Sequence, residues 1–299
     1  MMRILVSTVL FAATVMICSR PILAVDPRAQ EVMEAARTAI GGEELLEKIQ
    51  SLEISGQYRR MLGERQIAGD REISIQLPDK YLTEDAFNPG GMSTSMINTR
   101  GLNGEHAWNG SSGGGGGVFF RMAGPGGQQL SPEQMEALFH KQYQLELTRY
   151  LLALLVMPPS SMPLDYKYAG DSEVDDAHAE VVDVTGPDRF AIRIFFDKQS
   201  HLPLLLSYRG NKPRIVTMSR GQGTDIKKAK EEAQKLATKP NPQPEQVDFF
   251  IRLSDHKKIN GLLLPHKLTF LTENEVSEEF EISKYKINPQ FKSDKFEKH

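Results

Sequence analysis

Histidine and cysteine are the side chains that most often bind metal ions or act as bases and nucleophiles. None of the seven histidines lies at metal-ligand spacing from a carboxylate or a second ligand. His256 and His266 flank a predicted hairpin and could approach each other, although solvated hairpin residues are the commoner case. The single cysteine, Cys18, gives no thiol cluster for zinc. The sequence therefore predicts no metal site.

Two groups of carboxylates could also do chemistry. The acids of "DSEVDDAH" (171–178) could bind calcium, but this segment lacks the glycine and the terminal glutamate of an EF-hand loop. Glu278, Glu279 and Glu281 could supply paired carboxylates, yet Glu279 and Glu281 should share the solvent face of one strand. We therefore predict a protein that is not an enzyme, has no catalytic residues and binds no cofactor.

Five consecutive glycines, Gly113 to Gly117, stand between Trp108 and Phe120. A phosphate-binding loop would need a following helix and a Lys-Ser/Thr pair, whereas this run leads into the strand-like "VFFRM". The two serines before the run lack the G-x-S-x-G context of a hydrolase nucleophile. We predict that the run is the tip of a hairpin, which could gate a cavity if the sheet holds one.

The first 24 residues have the pattern of a secretory signal. Arg3 precedes an apolar run (4–17), and Ala24 stands at a suitable cleavage point. The run is too short to cross a membrane comfortably. Acylation of Cys18 is disfavoured because "VMIC" lacks the small residues that usually precede such a cysteine. We expect a periplasmic, monomeric mature chain (25–299) that forms one domain and has no transmembrane helix.

Composition argues against a nucleic-acid partner. The chain has 36 basic and 39 acidic residues, and loss of the signal would remove two arginines and lower the net charge from −3 to about −5. The hydrophobic fraction of 39% is ordinary for a globular protein, while 24 glycines and 17 prolines favour turns. Together these values favour a β-rich protein.

Helical patterns occur at two places. After the signal, Asp26 is a predicted N-cap, and a second short helix should carry Leu45, Leu46 and Ile49. The long helix begins after Ser131, and its end (150–157) is apolar on all sides. Because eight apolar residues cannot cross a bilayer, we expect other parts of the protein to enclose this end.

Alternating apolar residues predict about ten strands, joined mostly by short turns. Such a series forms an antiparallel meander, and a sheet of that size must curl or close. The sequence thus predicts a mainly β (α+β) fold: a curved antiparallel half-barrel with N-terminal helices and one long central helix over its concave face. The charged, proline-rich segment at about 222–246 is a predicted insertion.

Several strands place a row of large apolar side chains on one face. These side chains are either plain core or the lining of a site for a hydrophobic guest. The candidate lipid-binding residues are Trp108, Phe120, Leu151, Leu155, Phe190, Ile192, Ile194, Phe249 and Ile251.

The last third of the chain, "SDHKKINGLLLPHKLTF" followed by "EISKYKINPQFKSDKF", resembles the C-terminal half of the LolA/LolB-like periplasmic lipoprotein carriers. "FFDKQSHLPLLLSYRG" resembles the strands before it, and "ARTAIGGEELLEKIQSLEISG" the opening helix and first strand. The resemblance implies a half-barrel whose apolar cavity takes acyl chains. The expected partner is a lipid or an acylated lipoprotein. An envelope interaction, sensor or assembly module of the same fold is the alternative.

Overall fold

The computed structural model describes residues 26–62, 65–88, 95–113, 130–212 and 245–298. The α-helices of these ranges are α1 (Pro27–Ile40), α2 (Glu43–Leu46) and α3 (Pro132–Leu155). The strands are β1 (Ser51–Leu62), β2 (Arg65–Gln76), β3 (Lys80–Phe87), β4 (Met96–Asn103), β5 (His106–Ser112), β6 (Asp165–Val174), β7 (Ala177–Thr185), β8 (Ala191–Asp197), β9 (Pro203–Asn211), β10 (Gln246–Ile259), β11 (Leu262–Thr272) and β12 (Glu275–Ile287).

The twelve strands of the described residues form one sheet, in the order β5-β4-β3-β2-β1-β12-β11-β10-β9-β8-β7-β6. Every pair is antiparallel, and β5 and β6 stand at the two edges, so the sheet does not close. This confirms the predicted mainly β half-barrel. The described residues hold twelve strands where the sequence predicted about ten.

The sheet has two faces because successive side chains of a strand point in opposite directions. We call the face that packs against the helices the inner face, and the opposite one the outer face. Ile54 pairs with Ile73 on the inner face of one half, and Ile194 pairs with Leu206 on the inner face of the other. All four belong to one buried cluster, so both halves share a core.

The predicted helix caps are confirmed. The Asp26 carboxylate accepts hydrogen bonds from the backbone N–H groups of Arg28 and Ala29, at 3.0 and 3.2 Å. Ser131 and Gln134 form a capping box, in which each side chain accepts a hydrogen bond from the backbone N–H of the other residue. The start of α3 is therefore encoded locally, before any packing.

The apolar end of α3 is enclosed by protein, as predicted. Residues 151–156 are at most 1% exposed and pack into the shared core. Burial of one leucine side chain stabilises a fold by roughly 1.5–3 kcal/mol, so this short stretch is a large part of the core energy. Helix α2 is only one turn long and ends at Leu46, so Ile49, which was predicted to lie on it, follows the helix; Leu46 and Ile49 are buried, but Leu45 is 38% exposed.

A β-bulge lies at the centre of the sheet, where β1 meets β12. Ser55 pairs with Lys284 but Gly56 pairs with Ile282, which leaves Ser283 as the extra residue. A Cβ atom on Gly56 would lie 2.0 Å from the Glu281 carbonyl oxygen, so only glycine fits here. Because bulges bend the strand that carries them, this one contributes to the curvature of the half-barrel.

One end of the sheet, which we call the distal end, is where four of the strands finish, at Leu62, Phe87, Ser112 and Asn211.

Three predicted features lie outside the described residues: the signal (1–24), Gly114 to Gly117 with Phe120, and the insertion up to residue 244. Among the helices that the described ranges contain, none has the length and apolar character needed to span a membrane.

Candidate ligand site on the inner face

Six of the nine predicted lipid-binding residues belong to the shared core. Their exposed fractions run from 0 to 6%, and other protein side chains surround them. These residues are part of the hydrophobic core, which was one of the two roles that the sequence allowed. Contact with a lipid stays a prediction for them. These six are Leu151, Leu155, Phe190, Ile192, Ile194 and Ile251.

The seventh, Phe249, is half-buried and lies nearer the distal end. Its ring stacks on that of Tyr208, with centroids 5.2 Å apart. Phe270, also half-buried, lies on the inner face of the next strand, diagonal to Phe249. We call these three residues the distal aromatic surface. Unlike the core residues, they keep area that a ligand could cover.

Trp108 lies on the outer face, apart from the other candidates. Its ring covers Gly101, where a Cβ atom would come within 2.2 Å of it. Trp108 forms a small cluster with Leu82 and with Phe296 of the C-terminal segment. Phe120, the ninth candidate, lies outside the described residues.

Charged side chains are buried on the inner face between the core and the distal end. The Arg71 guanidinium donates two hydrogen bonds to Asp85, from Nε at 2.6 Å and from Nη2 at 2.9 Å. It also donates to Glu278 from its other side. Arg71 is 2% exposed, Asp85 4% and Glu278 7%, so strands β2, β3 and β12 are joined by ion pairs within the protein.

Further pairs extend this group towards α3. Arg60 donates to Glu278, and Arg100 donates to Glu146 of α3 at 2.9 and 3.2 Å. The Tyr81 hydroxyl donates to the same carboxylate at 2.8 Å. We call the six ionic residues the ion layer; they are Arg60, Arg71, Arg100, Asp85, Glu146 and Glu278.

Electrostatics keep Asp85 and Glu278 charged. Burial alone would raise the pKa of each, but Arg71 and the neighbouring guanidinium groups together outweigh it and hold both pKa values below their usual range. Burial raises the pKa of the neighbouring Tyr58 to about 12. Carboxylates that stay ionised and hydrogen-bonded are poor proton donors at neutral pH. The layer therefore holds strands and helix together and does not resemble an acid–base site.

The ion layer was not predicted from the sequence. Glu278 was considered only as a partner for Glu279 and Glu281, and those two do lie on the outer face, paired with Arg59 and Lys267. The alternation of β2 held a signal, because Arg71 is in phase with the inner-face residues Ile73 and Ile75. What no sequence pattern gives is the partner, since Glu278 is 207 residues away.

Arg149 of α3 lies beside the distal aromatic surface. Its guanidinium carbon is 4.0 Å from the centre of the Tyr208 ring. Its Nε is buried and has no hydrogen-bond partner among the described residues. Burial lowers the pKa of Arg149, and Tyr208 and Glu146 oppose this effect without outweighing it.

A groove of about 840 Å³ lies on the outer face. About half of the residues that line it are charged, and carboxylates outnumber basic side chains, so it differs in character from the apolar core. Its carboxylates are Asp70, Glu72, Glu84, Asp255 and Glu281, and its basic residues are Arg71, Lys257 and Lys267.

The sequence-level metal candidates are hairpin features in the structure. Asp175 and Asp176 form the two-residue turn between β6 and β7, both with positive φ. His266 packs edge-on against Tyr285, and burial lowers the pKa of nearby His256. Within the described ranges, no three His, Cys, Asp or Glu side chains cluster closely enough to hold a metal ion.

Comparison with known proteins gave matches only at the level of structure. No family model matches the chain, and no curated protein matches it. Solved structures of LolA-like proteins match this chain. A LolA superfamily protein from Nitrosomonas europaea shares 9% identity, with a TM-score of 0.45 over 90% of this chain and 97% of that one.

Two further solved structures match over similar lengths. A DUF1329 family protein from Desulfovibrio piger shares 13% identity, with a TM-score of 0.45 over 91% of this chain and 98% of that one. An outer-membrane lipoprotein-sorting protein domain from Vibrio parahaemolyticus shares 9% identity, with a TM-score of 0.44 over 90% and 97%.

Proposed function

We propose that this protein is a non-enzymatic, periplasmic binding protein for lipids or for the acyl chains of lipoproteins, and that the ligand lies against its inner face. One observation carries the proposal: an unclosed sheet with an apolar inner face that keeps a half-exposed aromatic surface at its distal end. Helices α1 and α3 cover the remainder of that face.

The energetics of acyl-chain burial fit such a site. Transfer of a chain from water to an apolar surface gains about 0.8 kcal/mol per methylene. A long chain could thus contribute on the order of ten kcal/mol without polar groups of defined geometry. This explains why a lipid site leaves no catalytic or metal motif in the sequence.

The ion layer has a supporting role in this proposal. Glu146 ties α3 to β3 and β4 through Tyr81 and Arg100, and Arg71 ties β2 and β3 to β12. A helix fixed in this way keeps the core closed below the ligand while the distal end remains accessible.

Native mass spectrometry and lipid extraction test the proposal on protein purified, without detergent, from its own cell envelope. We expect a fraction of the molecules to carry a co-purified lipid or acyl chain. A protein that is consistently empty, and that takes up no lipid from vesicles of envelope composition, would contradict the proposal.

The outer groove favours a second candidate function, an envelope interaction or assembly module. Five carboxylates against three basic residues leave the groove with an acidic excess, which would suit a basic segment of a partner protein. Reversal of two groove charges, Glu72→Lys with Glu281→Lys, should then abolish partner capture but leave any lipid content unchanged. Lipid loss without loss of the partner would exclude this candidate.

A further inference from the structure

Arg149 differs from the other arginines of the inner face. Within the described residues, Arg60, Arg71 and Arg100 each pair with at least one carboxylate. Arg149 has no ion pair or hydrogen bond there, and its described polar contact is with the face of the Tyr208 ring. A buried cation without a partner is costly, so its position calls for a physical reason.

The nearest carboxylate on the same helix cannot supply the missing partner. Glu146 is one turn before Arg149, but both of its oxygens are engaged by Arg100, and Oε1 also accepts from Tyr81. Burial lowers the pKa of Arg149 despite the opposing effects of Tyr208 and Glu146. The positive charge of Arg149 remains locally uncompensated.

The side chains around Arg149 suit the polar end of an amphiphilic ligand. The residue as a whole is half-buried, with its Nε enclosed, so part of its surface remains accessible. On one side lie Tyr208 and Phe249, whose rings stack on each other. A guanidinium fork binds carboxylates and phosphates with two parallel hydrogen bonds, and the adjoining rings offer apolar area for a chain.

We propose that Arg149, seated on Tyr208, binds the anionic head group of an amphiphile, a carboxylate or a phosphate, whose acyl chain lies against the distal aromatic surface. The inference rests on the proposed lipid-binding function and adds the charge and the place of the head group. It predicts a preference for anionic over uncharged lipids with the same chain.

The test uses the full mature chain and a fluorescent long-chain fatty acid, cis-parinaric acid, beside its uncharged methyl ester. We expect the acid to bind the unaltered protein at least about tenfold more tightly than the ester. The Arg149→Gln variant should bind the acid no more tightly than the ester. The Arg149→Lys variant should recover part of the preference for the acid.

Arg209→Gln is the matched control. Arg209 follows Tyr208 in β9, points to the outer face and pairs with exposed Asp248, so this variant should bind like the unaltered protein. The acid–ester comparison on the unaltered chain needs no substitution, so the test stands even if Arg149→Gln does not fold.

The other possible results distinguish failure of the anion site from failure of lipid binding. Equal binding of acid and ester, unchanged in Arg149→Gln, would overturn the anion site and leave the lipid-binding function intact. No binding of either probe would overturn both. Inorganic phosphate that binds alone as tightly as the acid, and displaces it, would show a free-anion site instead of a head-group site.

Discussion

Arg71 and Asp85 face each other across β2 and β3 and are joined by two parallel hydrogen bonds, at 2.6 and 2.9 Å, inside the protein. Glu278 of β12 approaches the same guanidinium from across β1. Gly56, opposite Arg71 in β1, has no side chain, and the Arg71 guanidinium lies 4.7 Å from the centre of the Tyr58 ring. This arrangement explains how an arginine can be buried on an otherwise apolar face.

Loss of Arg71 should destabilise the fold strongly. Arg71→Met leaves Asp85 and Glu278 as buried charges that share only distant or half-exposed partners, and breaking a buried pair in this way costs about 3–5 kcal/mol. Urea unfolding followed by circular dichroism measures the change. Arg59→Gln is the control, because Arg59 pairs with Glu279 and Glu281 on the surface and should cost at most about 1 kcal/mol. Equal losses in the two variants would show that the ion layer does not support the fold.

The ion layer should also make stability depend on acid pH. The pKa values of Asp85 and Glu278 are depressed in the folded state, so the unfolded chain takes up protons first as the pH falls. The stabilisation is complete above the unfolded pKa values, near 4 to 4.5, and is lost as the pH falls through the folded values. Urea unfolding at a series of pH values should show this decline and a shallower one in Arg71→Met. Identical pH profiles would contradict the assignment.

Phe296 should shield the single tryptophan. It packs with Trp108 and Leu82 on the outer face and is 2% exposed. Phe296→Ala opens this cluster, so the Trp108 emission should shift to longer wavelength, with a loss of roughly 3 kcal/mol in stability. Acrylamide quenching and urea unfolding report the two effects, and Lys298→Ala, at an exposed position nearby, serves as control. An unshifted emission would place Trp108 outside this contact.

The predicted N-terminal signal implies a defined mature end. Cleavage after Ala24 gives a chain that begins at Val25 and contains no cysteine. The intact mass of protein isolated from the envelope tests this directly, and Cys18→Ala should leave processing unchanged. A mass that includes a diacylglyceryl group, lost in Cys18→Ala, would show lipidation at Cys18 instead.

Local signals in the sequence predicted much of this fold. Asp26, Ser131 and Gln134 encode helix starts through their own backbone contacts, and the Asn260-Gly261 turn has the positive φ values that such a pair adopts. Alternation indicated the strands, because one buried face imposes a period of two.

The candidate site was less accessible to prediction because it depends on long-range contacts. Trp108 was expected beside the inner-face residues, but it points outward because its neighbour Ala107 takes the inner position opposite Leu102. The contact of Glu278 with Arg71 and that of Arg149 with Tyr208 join segments that are far apart in sequence. Such pairs leave no spacing pattern, so only the folded chain reveals them.

Photo-crosslinking from two adjacent residues of β10 shows whether lipid binds the inner face. Phe249 points to the inner face and Phe250 to the outer one, so a benzophenone amino acid at 249 or at 250 samples opposite sides of the same strand. After irradiation in the intact envelope, mass spectrometry should find lipid adducts at position 249 and not at position 250. Adducts at 250 alone, or at neither position in a folded, exported protein, would contradict the account.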